Sequence, residues 1–277
     1  MTKSELRQTI RSIMLPFVFS ASGLLVAFLL KKGLGLDLSK LSLSLIALVI
    51  TSAAVLLLFP RVFKIPFGSV SPKEFIKNLG LYKPQPLVKL VLLGLFASMF
   101  TLTGMLISSL MTGKYIFSAD TITLAQAVFS LTPGLWEELL FRGVIMIVLL
   151  RLTKSYKWAC LIQILLFGLG HVKGIDLLAL VDVFSVIIIA VGFTYIAYKT
   201  KSLIPGMIFH YVHDSLLYVV QLPGGDYVGF QDNMFFYAGL WISVALCVVM
   251  VKLFVERFNI ISPYDFYTIH SGVKAQE

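Results

Sequence analysis

From Val88 to Thr112 the chain carries one charge, Lys89, and apolar runs of this kind recur along its whole length. They cover approximately residues 13–30, 41–59, 88–112, 122–150, 157–171, 175–198, 203–222 and 234–252. About 20 predominantly apolar residues suffice to cross ~30 Å of hydrocarbon as a helix. In lipid the backbone must satisfy its own polar groups, which leaves helices and closed barrels. Unbroken apolar runs lack the alternation of an outer-membrane barrel, so helices remain. The expected fold is an all-α polytopic membrane protein of about eight transmembrane helices, forming a single membrane domain over residues 1–277. The fifth run is short. Pro133-Gly134 is expected to kink or interrupt the fourth.

Composition excludes the other classes. Hydrophobic residues make up 58% of the 277 and charged residues 13%, with a mean hydropathy of +0.92. A soluble domain carries roughly 25% charged residues, and disorder requires low hydrophobicity with high charge. The net charge of +9 does not mark a nucleic-acid binder, because the basic residues are scattered between apolar runs. It reads instead as topology. With the N-terminus in the cytosol, cytosolic segments hold 17 Lys and Arg, outer loops hold 5, and Arg142 lies within a span. By the positive-inside rule this places both termini in the cytosol. Six of the 17 fall between Arg61 and Lys89, around a Pro/Lys-rich connection (residues 60–86). There Ser71-Pro72-Lys73-Glu74 is expected to start a short interfacial helix. Ile13 to Leu30 exceeds a signal-peptide core and lacks a small-x-small cleavage pattern, so an uncleaved first span is expected. Lys274-Ala275-Gln276-Glu277 is not a prenylation signal. Cys160 and Cys247 sit in apolar runs and read as buried small side chains.

Ionisable groups inside spans are costly and face protein or a wet cavity. Here they are segregated. Glu137, Glu138, Arg142, His171, Asp182, His210, His213 and Asp214 all lie between residues 137 and 214, in spans four to seven. On an α-helix Glu138 and Arg142 (i, i+4) lie about 40° apart and can pair, whereas Glu137 lies about 140° from Arg142. One carboxylate is thus structurally paired and one is freer. Phe167 and His171 share a face, and Gly168 and Gly170 permit close helix approach. His210 and Asp214 also share a face, where Asp214 can orient the imidazole. His213, three residues from His210, is a substitute for it. Asp182 has no motif and is expected to pair with a basic neighbour. The bland alternative for each group is helix-anchoring ion pairs and hydrogen bonds.

Taken together, Glu137-Glu138-x-x-x-Arg142, Phe167-x-x-x-His171 and His210-x-x-x-Asp214 resemble the three ordered motifs of the CPBP intramembrane proteases. That family includes the Rce1 CaaX prenyl endopeptidases and bacterial Abi-type proteins. The resemblance covers about residues 122–222, and Ser202-x-x-Pro205 before the third motif is similar too. It implies that Glu137 is the catalytic carboxylate and His171 its partner in activating water. His210 and Asp214 would form an oxyanion-stabilising or orienting pair, with Glu138, Arg142 and Phe167 holding the site or substrate. The polar site would then lie between helices four, five and seven. Rce1-type enzymes usually carry Asn where this chain has Asp214. Asn donates a hydrogen bond to an oxyanion and an ionised Asp does not, so Asp214 would be protonated or would orient His210.

The implied function is an intramembrane endopeptidase acting on a membrane-embedded or lipidated peptide: a prenylated CaaX-type substrate, or a peptide or bacteriocin precursor. The lipid bilayer is its other partner, and no nucleic acid is expected. The family implies a metal-independent mechanism with no cofactor. Zinc is the minor alternative, with Glu137, His171, His210 and Asp214 as ligands. No GxSxG motif or reactive Cys points to an acyl-enzyme. A non-catalytic immunity or scaffold protein of the same family, binding a membrane partner, is the second reading. A proton-coupled transporter is the third, though no inverted repeat is visible.

Overall fold

The structure is a computed structural model. It describes residues 28–35, 39–62, 86–113, 116–117, 123–172, 174–217, 220–221, 230–262 and 265–271, with single positions at 7, 10, 14, 25, 26, 71, 73, 76, 79 and 81. Most of the first apolar run and of the 60–86 connection therefore lies outside the described residues. Within them, Lys73 and Ile76 are helical.

The described runs fold as helices. They are α1 (Lys40–Val62), α2 (Leu87–Thr112), α3 (Leu124–Glu137), a π-helical segment (Glu138–Ile145), α4 (Met146–Thr153), α5 (Tyr156–Leu169), α6 (Leu177–Thr200), α7 (Ile204–Leu217), α8 (Phe230–Phe258) and α9 (Phe266–Ser271). A two-residue antiparallel ladder pairs β1 (Ile116–Phe117) with β2 (Val220–Gln221). Three helical stretches, Leu87–Thr112, Leu177–Thr200 and Tyr237–Phe258, are long and apolar enough to cross a membrane. On α2 the exposed face carries Leu92, Leu95, Met99, Leu106 and Leu110, an apolar stripe at helical spacing. Its buried face carries Gly94, Ser98, Thr101, Gly104 and Ser108. The outward face is covered by large apolar side chains, while the protein-facing side mixes these small and polar residues with Leu90, Leu93 and Met105, as close helix packing in a lipid solvent favours. Apart from that ladder the described elements are helices, and the protein is a multi-pass membrane protein.

The chain divides into two compact units, Met1–Lys83 with Thr123–Ala159 and Tyr264–Glu277, and Pro84–Ile122 with Cys160–Pro263. In the first, α1 packs on α3 and α9 on α4. Helix α3 begins with a capping box. The Thr123 side chain accepts from the Gln126 N–H, and the Gln126 carboxamide accepts from the Thr123 N–H. From that start α3, the π segment and α4 follow without a break from Leu124 to Thr153. Pro133 lies inside α3 and does not interrupt it. The departure from α geometry comes later, at Glu138. Lys154, in the left-handed region at φ 53°, ends α4.

The second unit is held by helix crossings of unusual closeness. A Cβ on Gly239 of α8 would collide with Ser108 Oγ and would stand 2.7 Å from the Gly104 carbonyl oxygen of α2. A Cβ on Gly104 would stand 2.7 Å from Ser243 Oγ. Gly104-x-x-x-Ser108 therefore meets Gly239-x-x-x-Ser243, small residue against small residue, as membrane helices require when packing must replace the hydrophobic effect. Gly94 lets α2 approach Pro205 and Ile208 of α7 in the same way. Around these crossings Leu90, Leu93, Ala97, Phe193, Ile196, Phe209, Cys247 and Val251 form the core. Cys247 is buried there, as expected of a small apolar side chain, and Cys160 is partly buried.

Candidate active site

In the first unit the Glu138–Arg142 pair forms as the spacing predicts. Arg142 Nη1 donates to Glu138 Oε1 at 3.0 Å, and both side chains are 0% exposed. The helix around them is not α-helical. The Met146 N–H donates to the Phe141 carbonyl, five residues back, as well as to that of Gly143. An i→i+5 ladder widens the turn and brings residues five apart towards alignment. The separation of about 140° expected of Glu137 and Arg142 assumes an α-helix, which this segment is not. Glu137, just before it, is itself buried. Tyr267 of α9 donates from its hydroxyl to the Arg142 carbonyl at 2.7 Å. Its ring meets Tyr156 edge-on at 6.4 Å.

In the second unit the histidines are set on a framework of aromatic rings. His171 follows the end of α5, where its N–H reaches the Gly168 carbonyl at 2.9 Å. Its Nδ1 lies 2.8 Å from the Phe167 carbonyl oxygen. A carbonyl only accepts, so Nδ1 carries the proton, and in the neutral ring Nε2 is the acceptor nitrogen. Gly168 permits the approach of α6 here, since a Cβ would collide with Ile187. Gly170 falls in the turn that closes α5, its N–H bonded to Leu166.

The Phe167 ring lies 4.7 Å from His171 and 6.2 Å, edge-on, from His210. Phe167 therefore separates and aligns the two imidazoles. His210 is buried and stacks on Phe193 of α6, with centroids 4.6 Å apart and planes 19° from parallel. Asp214, half-buried, shares the expected face, but its Oδ2 stands 3.8 Å from His210 Nε2. That is an ion-pair distance, longer than a hydrogen bond.

His213 does not duplicate His210. Its Nδ1 hydrogen-bonds Thr101 Oγ1 of α2 at 3.0 Å, and it lines a small cavity with Thr101, Phe209, Ser243 and Cys247. Asp182 accepts from the Tyr237 hydroxyl at 3.3 Å. Among the described residues no three His, Cys, Asp or Glu side chains are grouped to hold a metal ion.

Sequence reading did not reach Phe193, Tyr267 or Thr101. Phe193 is one aromatic among many in an apolar run. Tyr267 acts 125 positions from Arg142, and Thr101 acts 112 positions from His213.

Residues 119–216 match the family model described as type II CAAX prenyl endopeptidase Rce1-like. This stretch resembles an Rce1-like domain. It spans about a third of the chain and contains all three motifs in order. No curated protein and no solved structure matches the chain. The matched stretch takes in the acidic motif, which lies in the first unit, and the two histidine motifs, which lie in the second. Each part suits one task. A buried carboxylate can take a proton from a water, and an imidazole with an acceptor Nε2 can hold one. A second buried imidazole, fixed in plane, can face a developing charge.

Proposed function

We propose that the protein is an intramembrane endopeptidase that hydrolyses a peptide bond of a membrane-associated substrate, with a prenylated CaaX-type peptide as the first candidate class. The observation that carries this reading is the Rce1-like match over residues 119–216, which embraces the acidic motif and both histidine motifs. Burial of Glu137 and the Nδ1–H form of His171 support it.

In this reading Glu137 is the general base and His171 Nε2 helps hold the water. Glu137 removes a proton as the water oxygen attacks the scissile carbonyl carbon. The negative charge moves to the carbonyl oxygen, where His210, as a donor, stabilises it. The tetrahedral species collapses, the C–N bond breaks, and the leaving nitrogen takes the proton from Glu137. Asp214 sits beside His210, its carboxylate within ion-pair distance of the imidazole as that charge develops. Glu138 and Arg142 hold the carboxylate site. No metal or cofactor takes part, so chelators leave cleavage unchanged. Activity lost on chelation and restored by zinc would overturn this part of the proposal. The helix count is about eight spans with both termini cytosolic, supported by the bias of Lys and Arg. Accessibility of single cysteines at the termini tests that orientation.

The deciding experiment uses the full chain in lipid nanodiscs with a farnesylated CaaX peptide and an unprenylated membrane-spanning peptide. Glu137→Ala and His171→Ala should each lower kcat by about 10²–10⁴-fold, the range of general-base contributions. Retained cleavage with either variant refutes the assignment. Cleavage of the spanning peptide alone moves the substrate class away from CaaX.

A further inference from the structure

The acidic motif is joined to a residue far outside the Rce1-like stretch. Tyr267 lies in α9, and its hydroxyl donates to the Arg142 main-chain carbonyl at 2.7 Å. That carbonyl belongs to the π segment, close to its junction with α4. A π turn redistributes the carbonyl acceptors of the helix, and such turns persist where tertiary contacts support them. Here the support is a buried side-chain donor. Tyr267 is 2% exposed.

Three contacts hold α9 so that the hydroxyl can reach. Asp265 caps the helix, with Oδ1 accepting from the Thr268 N–H at 3.1 Å and Oδ2 from the Thr268 hydroxyl at 2.9 Å. The Tyr156 ring meets the Tyr267 ring edge-on. Helix α9 also packs along α4. The wide turn begins at Glu138 and contains Arg142, so its geometry sets the phase between the acidic residues and the guanidinium. An α-helical turn in its place would put Glu137 about 140° around the helix from Arg142.

We infer that Tyr267 is a positioning residue for the acidic motif, holding the π turn through the Arg142 carbonyl, so that the C-terminal helix belongs to the site's working parts. This rests on the proposed endopeptidase reading for its kinetic consequence and on geometry alone for its structural one.

The test is Tyr267→Phe in the full chain, which keeps the ring and removes the donor. Amide exchange over Glu138–Ile147 and cleavage of the farnesylated peptide are measured side by side, with Asp265→Ala as a second variant that loosens α9. The expected result for Tyr267→Phe is faster exchange confined to that segment, and kcat about tenfold lower at unchanged KM, equivalent to about 1.4 kcal/mol. Asp265→Ala should move both readouts the same way. Unchanged exchange in Tyr267→Phe overturns the inference whatever the activity. Faster exchange with unaltered kcat also overturns it, as does a loss matched by general unfolding in the melting curve. A wild-type chain without cleavage removes the endopeptidase reading, while the exchange comparison still decides whether Tyr267 holds the turn.

Discussion

The Phe193 ring stacks on the His210 imidazole at 4.6 Å, 19° from parallel, while Asp214 Oδ2 stands 3.8 Å from His210 Nε2. The plane of the imidazole is therefore set by an aromatic face from a neighbouring helix, and the i+4 carboxylate supplies charge without a hydrogen bond at that distance.

Phe193→Leu should then harm the site more than its size suggests. Stacked ring pairs contribute about 0.5–1.5 kcal/mol beyond burial. Cleavage should fall about three- to tenfold in kcat/KM, and Phe193→Tyr should restore most of it. Steady-state kinetics check this. Equal activity for the Leu and Tyr variants would mean that the stack does not orient His210.

The Glu138–Arg142 pair calls for a stability measurement. Removing one member of a buried ion pair typically costs about 3–5 kcal/mol, whereas replacing both with apolar residues can be neutral. Glu138→Ala should therefore melt well below wild type, and Glu138→Leu with Arg142→Leu should regain most of the loss while leaving the protein inactive. Thermal unfolding in detergent reads the first result. A stable single variant would show that the pair does little for the fold.

Spectroscopy can report on His171 directly. The bond to the Phe167 carbonyl fixes the Nδ1–H tautomer. Nitrogen shifts of the labelled ring should show a protonated Nδ1 and an unprotonated Nε2. His171→Asn offers a short side-chain N–H in place of Nδ1–H and has no counterpart of Nε2, so it should fold and fail to cleave. An Nε2–H tautomer in the folded protein would contradict the assigned geometry.

Glycine substitutions separate close crossings from open ones. Gly239→Ala places a methyl group against Ser108 Oγ and the Gly104 carbonyl, a backbone atom that cannot swing aside. It should destabilise by about 1–3 kcal/mol, as overpacking does. Gly192→Ala meets nothing nearer than 3.6 Å and should stay within about 0.5 kcal/mol of wild type. Melting temperatures of the two variants test the contrast.

Which of these features the sequence carried depends on how local their causes are. The apolar runs located α2, α6, α7 and α8 because lipid imposes a length and a composition on each span. Glu138–Arg142 was legible because i, i+4 fixes a face. The angle expected between Glu137 and Arg142 assumed an α-helix, and no hydropathy pattern encodes a π turn. The helix runs on through Pro133 without interruption, and the π segment begins five residues later. Asp182 and Tyr237, like Arg142 and Tyr267, meet across 55 and 125 positions. Such pairings follow from how helices are assembled, which spacing within one helix does not contain. His210–Asp214 shows the limit in the other direction: a shared face was right, and a hydrogen bond did not follow from it.

The π segment also has a bearing on how chains like this one can be compared. An i→i+5 turn is a helix that holds one residue more than its neighbouring ladder can use. Deleting a single residue between Leu139 and Phe141 would let the ladder close as an ordinary α-helix. Because the wide turn already absorbs that residue, Met146–Thr153 would keep nearly its present facing, and the change would fall on the acidic motif itself. A homologue with one residue fewer would look nearly identical in an alignment and pack alike below the turn, yet would carry a different spacing between its acids and its arginine.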